Sequence, residues 1–430
     1  MNLKIKLLFG ISFFLLCVIL LTVFGQKKSI GRDETTGQNL EMEIKTDSEK
    51  VPDSELVTES EDFFIEETEE NLAEAETDTT IEDILENMTL EEKIAQMFII
   101  TPEALTGYGT VTSAGGATKE ALEKYPVGGL IYFAKNIQSK EQVIEMTGIQ
   151  QQYSLERIGL PLFISVDEEG GSVARVANES PISVKHFSDM ASIAADPNAL
   201  SLAGELGDEI GSYLKELGFN LDFAPVADVL TNPDNTVVKR RSFGTDAVKT
   251  AELAAEVSKH LEGQGVYSCL KHFPGHGATA GDSHKGFSYT DKTLDKLREA
   301  ELIPFYEGIA SGVSFVMVGH ISAPNITGDD MPATLSKILV TDVLRKEMQF
   351  DGIIITDAMN MGAICSLYSS REAAKLAVSA GIDMILMPAD FKAAYEGLLE
   401  AVKEGAIDEE RIDESVRRIV EKKLKKGAVG

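Results

Sequence analysis

The sequence has no tryptophan, three cysteines, six histidines, and 40 Lys/Arg against 70 Asp/Glu. The missing tryptophan excludes nothing. The scarcity of cysteine does: Cys17, Cys269 and Cys365 suggest no disulfide framework. Cys269 and Cys365 could pair on number alone, but both are expected as isolated small core residues. The shortage of positive charge leaves a net charge of −30. No basic, phosphate-neutralising face is available, which argues against nucleic acid as a partner. No G-x-G-x-x-G opens a helix, so the phosphate loop of a doubly wound dinucleotide-binding sheet is also missing.

What is there begins with an apolar run from Leu7 to Phe24, preceded by Lys4 and Lys6 and followed by Lys27 and Lys28. Eighteen apolar or small residues are long for a signal peptide and just enough to span a bilayer. Residues 1–28 are therefore expected to be a membrane anchor, or else a cleaved signal, with the catalytic part exported in both cases. Cys17 follows Leu16 rather than a small residue, which weakens a lipoprotein reading. Residues 29–80 hold 18 Asp/Glu and 3 Lys/Arg, or −15, half the chain's excess charge. Like charges repel and few large apolar residues are present, so this stretch is predicted to be a disordered acidic linker.

From residue 81 to 430 a single domain is expected. "TIEDILENMTLEEKIAQMF" has helical apolar spacing, interrupted by an N-cap at Thr89. Eight apolar runs follow, at 97–101, 127–133, 161–167, 219–226, 266–273, 314–320, 352–357 and 383–388. Their near-continuous hydrophobicity fits parallel strands buried on both faces. Alternating with helical stretches, eight such strands fit an α/β fold, a single (β/α)8 TIM-type barrel. Several runs end in polar groups: Asp167, Asp222 with Asp228, Lys271 with His272, His320, and Asp357. Barrel active sites form at the C-terminal strand ends, so this recurrence points to an enzyme. The basic helix "DESVRRIVEKKLKKG" is expected to end the domain, with no second domain after it.

Three clusters carry the chemistry. In "ISVDEEGGSVARV", Asp167 and Arg175 flank a Gly-Gly turn and could converge on a polyhydroxylated ligand or form a surface salt bridge. In "KHFPGHGATAGDSHKG", Lys271 and His272 end a buried strand and are predicted to point into the mouth. Gly275, Gly277 and Gly281 permit positive φ, so the loop can fold back and bring Asp282 and His284 to the site. Asp282 would orient the His284 imidazole, which can donate and accept a proton near neutrality. A metal held by His272, His276, His284 and Asp282 is disfavoured, because Pro274 and the glycines prevent a helical H-E-x-x-H arrangement. In "GIIITDAMNMGAI", Asp357 either attacks an anomeric carbon or caps the following helix.

Together "MTLEEKIAQM", "VDEEGGSVARV", "RRSFGTD", "KHFPGHGATAGDSH" and "ITDAMNMGAI" resemble glycoside hydrolase family 3, and within it the bacterial NagZ-type β-N-acetylglucosaminidases. The resemblance covers about residues 85–400. It implies a retaining exo-β-N-acetylglucosaminidase with Asp357 as nucleophile and His284 as acid/base, assisted by Asp282 on a mobile loop. Asp167, Arg175, Arg241, Lys271 and His272 would bind the sugar's hydroxyls and acetamido group, with Arg240 the alternative to Arg241. No cofactor or metal is implied, and a monomer acting on an oligosaccharide is expected. The exported address suggests cell-wall fragments or other extracellular glycans. Phosphorolysis, β-glucosidase activity and non-catalytic wall-glycan binding remain open alternatives. Glu168 departs from the family pattern.

Overall fold

The computed structural model describes residues 80–279 and 288–425. The apolar run at 7–24, the linker up to residue 79, and with them Cys17, lie outside the described residues, as do Asp282 and His284. All described residues belong to one unit, Thr68–Gly430. No helix among them is long and apolar enough to cross a membrane.

Each of the eight apolar runs contains a strand. They are β1 (Phe98–Ile100), β2 (Gly129–Ile131), β3 (Phe163–Val166), β4 (Leu221–Asp222), β5 (Cys269–Phe273), β6 (Phe315–Val318), β7 (Ile353–Thr356) and β8 (Ile385–Leu386). Five form a parallel sheet in the order β8-β1-β2-β3-β4, and three form a second in the order β7-β6-β5. Isolated parallel bridges join Leu221 to Tyr267, Val226 to Lys271 and Ile355 to Met384. Every residue of the eight strands is buried, as continuous hydrophobicity requires of strands covered on both faces. Truncating such a residue, for example fully buried Ile354 to Ala, costs about 2–5 kcal/mol.

Helices lie between the strands. Thr89 caps the helix Leu90–Gln96 as the sequence predicts: its hydroxyl accepts the Glu92 N–H at 3.2 Å, and the Glu92 carboxylate accepts the Thr89 N–H at 2.9 Å. The helices Ala199–Glu216 and Ala247–Gly263 pack closely because Gly207 has no side chain; a Cβ there would sit 2.7 Å from the Val257 carbonyl. Cys269 is buried, as expected. Cys365 is not a core residue: it is free and exposed at the end of the short helix Gly362–Cys365, whose buried positions are Ala363 and Ile364.

The helix Glu409–Leu424 packs across the N-terminal strand ends. There, fully buried Asp383 accepts the Ile354 N–H and the Ser415 hydroxyl, both at 2.9 Å, and meets Arg345 at 2.5 Å and Arg418 at 3.2 Å. Arg411 lies 3.6 Å away. Nearby, the buried Lys423 Nζ donates to Gln96 Oε1 at 2.7 Å and lies 5.2 Å from the Phe163 ring centroid. Burial pushes the Lys423 amine well below its usual range.

Candidate active site

The opposite, C-terminal strand ends open on a cavity of about 560 Å³, within the size range of small-molecule sites. Asp167, Arg175, Arg241, Lys271, His272 and Asp357 all line it. Six residues spread over 190 positions of sequence thus meet in one mouth. Asp282 and His284 lie outside the described residues.

Asp357 follows β7, where its N–H donates to the Val318 carbonyl at 2.9 Å. It does not cap the next helix, whose N-cap is Met361; instead its Oδ1 accepts the Ala358 N–H at 2.7 Å. Burial alone would raise its pKa. His320, His272 and Lys271 nearby, with the Ala358 N–H, outweigh that and hold the carboxyl below its ordinary value. A carboxylate in this setting stays ionised and keeps lone pairs facing the cavity.

Lys271 and His272 are adjacent yet both reach the mouth. The ladder of β5 against β6 shifts register between Leu270 and Phe273, which breaks strict in-out alternation. Lys271 Nζ lies 2.8 Å from Asp167 Oδ1 and 2.7 Å from Glu169 Oε1. Burial would lower its pKa, but the Asp167 and Glu169 charges raise it above the ordinary lysine range. Glu169 also binds Arg241 with both oxygens, at 2.7 Å to Nε and 2.6 Å to Nη2. One buried carboxylate therefore joins two cationic side chains, and they keep Glu169 ionised against its burial. Sequence reasoning missed Glu169. Its signal was a third acid in a row just past a strand end, before Gly-Gly, but its partners lie 72 and 102 positions away.

Arg241 is the inward arginine. Arg240 is exposed and pairs with Asp189 at 2.6 Å. The His272 Nδ1 lies 2.7 Å from Asp228 Oδ2, and its Nε2 faces Arg241 Nη2 at 3.4 Å. Arginine can only donate, which assigns the proton to Nδ1 and points the acceptor Nε2 at Arg241. Fully buried Asp228 also accepts the His272 N–H at 3.2 Å and the His276 N–H at 2.6 Å. Asp228, unlike Glu169, does not line the cavity and supports His272 from behind; it was visible only as a polar strand end.

Arg175 and Asp167 do not form the salt bridge that their spacing allows. Arg175 pairs with Glu179 at 2.5 Å and lies over the Phe133 ring, 5.7 Å from its centroid. The buried Glu168 accepts the Val176 N–H, the Ala177 N–H and the Tyr213 hydroxyl.

At the root of the histidine-rich loop, Gly275 has φ +127°, the left-handed region that favours glycine. Gly277 does not; it is required for close approach, since a Cβ would sit 2.0 Å from the Val229 carbonyl. His276 turns away from the cavity, its Nδ1 3.1 Å from Thr279 Oγ1, and burial lowers its pKa to about 4. Among the described residues no three His, Cys, Asp or Glu side chains are grouped to hold a metal.

Residues 89–421 match the family described as Glycosyl hydrolase family 3 N terminal domain. The chain is 36% identical over 329 residues to Beta-hexosaminidase A of Pseudoalteromonas piscicida, covering 71% of this chain and 54% of that protein. It is thus matched to about half the length of that relative. It is 32% identical over 337 residues to Beta-hexosaminidase LpqI of Mycobacterium tuberculosis, covering 76% of this chain and 81% of that one. A family 3 β-N-acetylglucosaminidase structure from Paenibacillus sp. superposes with a TM-score of 0.72 at 37% identity, covering 78% of this chain and 62% of that chain. With its five motifs gathered in one fold and its family match spanning most of its length, the chain belongs to glycoside hydrolase family 3.

Proposed function

We propose that this chain is a retaining exo-β-N-acetylglucosaminidase, with Asp357 as nucleophile. The observation that carries this reading is an ionised Asp357 at a strand end, opening on a cavity lined by Asp167, Lys271, Arg241 and His272. Those four suit the hydroxyl and amide groups of a hexosamine. The names of the relatives favour the acetamido sugar over a plain glucoside. The eight parallel strands are read as one closed (β/α)8 barrel, supported by the three parallel bridges between the two sheets.

Asp357 Oδ attacks the anomeric carbon as the glycosidic C–O bond breaks, and the leaving oxygen takes a proton from His284. The bond formed is an ester between Asp357 and the sugar. Water then attacks the same carbon while His284, oriented by Asp282, takes its proton. Two inversions give retention. A histidine in this role avoids a second carboxylate beside the nucleophile. Residues 1–28 are proposed to anchor the chain or direct its export. The natural substrate is then a cell-wall-derived or other extracellular glycan.

The test uses the full chain with p-nitrophenyl β-N-acetylglucosaminide and β-glucoside, with and without phosphate, followed by NMR of the first-formed anomer. The expected result is fast turnover of the acetamido sugar to the β-anomer, abolished in Asp357→Ala and dependent on His284. Turnover that survives Asp357→Ala overturns the nucleophile. A sugar phosphate as product overturns hydrolysis.

A further inference from the structure

The departure at Glu168 has a structural counterpart. Glu168–Gly170 and Val173–Ala174 form a short antiparallel ribbon just beyond β3, with Glu168 opposite Ala174. Asp167 precedes it, Glu169 lies within it and Arg175 follows it, and all three line the cavity. Glu168 itself is 0% exposed. Its Oε2 accepts the Val176 N–H at 2.7 Å, and its Oε1 accepts the Ala177 N–H at 2.9 Å and the Tyr213 hydroxyl at 2.7 Å. Besides the Glu169 ties to Arg241 and Lys271, the ribbon is held by Asp222 on β4, whose Oδ1 accepts the Glu168 N–H at 2.9 Å.

We infer that Glu168 is a positioning residue for substrate binding: its carboxylate, filled by three donors, fixes the ribbon that carries Asp167, Glu169 and Arg175. The inference rests on the proposed function, in which Asp167 contacts the sugar in the cavity that Arg175 also lines. Burial pushes both acids above the usual carboxylate range, but at Glu168 the Val176 and Ala177 N–H groups and the Tyr213 hydroxyl oppose it. Glu168 faces three donors, which a carboxylate satisfies and an amide cannot. Asp222 offers Oδ1 to one N–H, and its buried Oδ2 has no hydrogen-bond partner. Burial and the nearby Glu168 charge push Asp222 well above the usual carboxylate range, with only the Glu168 N–H and the Lys271 charge opposing them.

The consequence is an asymmetry between two isosteric exchanges. In Glu168→Gln the new NH2 meets a donor whichever way the amide turns. In Asp222→Asn the carbonyl keeps the Glu168 N–H, and the NH2 replaces an oxygen that has no partner to lose. Losing a hydrogen bond to a buried ion costs enough to shift binding about tenfold. For full-length Glu168→Gln, KM for the β-N-acetylglucosaminide and Ki for free N-acetylglucosamine should therefore both rise about tenfold, with kcat within about threefold. Asp222→Asn should stay within about twofold of wild type, and Tyr213→Phe, which removes one of three donors, should raise KM about threefold. Thermal melts and active-site titration give the folded fraction, so that loss of enzyme is not scored as loss of affinity.

An unchanged KM and Ki in Glu168→Gln, or Asp222→Asn as impaired as Glu168→Gln, overturns the inference. Should Glu168→Gln not fold, Tyr213→Phe decides: wild-type KM and Ki there overturn it. A wild type that neither turns over the acetamido sugar nor binds it is a different failure, and sinks the proposed function itself.

Discussion

Asp383 at one end of the parallel strands and Asp357 at the other are both enclosed carboxylates with cationic neighbours, yet only one faces a cavity. Asp383 is fully spent: a backbone N–H, a serine hydroxyl and arginines occupy both oxygens. It ties β7 and β8 to the helix Glu409–Leu424. Asp357 accepts a backbone N–H from Ala358 and draws the rest of its stabilisation from charges at a distance. Both are held below the usual carboxylate range. Burial and a shifted pKa therefore do not separate a structural ion from a reactive one; unspent hydrogen-bonding capacity opening on a cavity does.

The contrast breaks most visibly at Asp357. Asp357→Asn should lower kcat/KM by at least about a thousandfold, roughly 4 kcal/mol of transition-state stabilisation, with an unchanged melting transition. Asp383→Asn should do the reverse. Leaving half-buried guanidinium groups short of their counter-charge at this enclosed site costs about 3 kcal/mol in urea unfolding, while kcat per folded enzyme stays at wild type. Equal effects of the two exchanges on both assays would erase the distinction.

A third test uses His276, buried behind the mouth with a pKa lowered to about 4 from 6.5. The unfolded chain binds this proton more readily than the folded one. The associated stability is present above pH 6.5 and lost as pH falls towards 4. Between pH 7 and 4.5 the wild type should lose roughly 2–3 kcal/mol more than His276→Asn in urea unfolding. Equal losses would show that His276 is not the group held neutral.

The smallest effect is expected at Lys423, also at the base. Lys423→Met at pH 7 should change stability by no more than about 1 kcal/mol, because relief from holding a neutral amine offsets the lost Gln96 bond. With its folded pKa lowered, Lys423 favours folding more as pH rises towards the unfolded lysine value. Wild type should therefore gain on Lys423→Met between pH 7 and 9.5. No gain would indicate that the amine is charged in the folded chain.

The strands were legible because burial on both faces leaves a local signature: all eight apolar runs contain one. The polar strand ends led to Asp357, Asp167, Lys271 and His272 by the same logic. Glu169 was not legible, since its meaning comes from Lys271 and Arg241, which only the fold brings near. Arg241 could not be told from Arg240 by composition; the Glu169 fork decides between them. Cys365 was misplaced in the core because a small residue in an apolar stretch carries no label for the face it occupies on a one-turn helix.

The Glu169 fork makes three residues into a single electrostatic unit. Exchange of Glu169 strands two cations, and exchange of Lys271 or Arg241 leaves a buried acid half answered. Any lineage, or any engineer, moving this pocket to a new ligand one codon at a time must cross an unbalanced intermediate. Routes to altered specificity are more accessible along the cavity's uncharged wall, at Val237, Met361 and Met387, where a replacement carries no such debt.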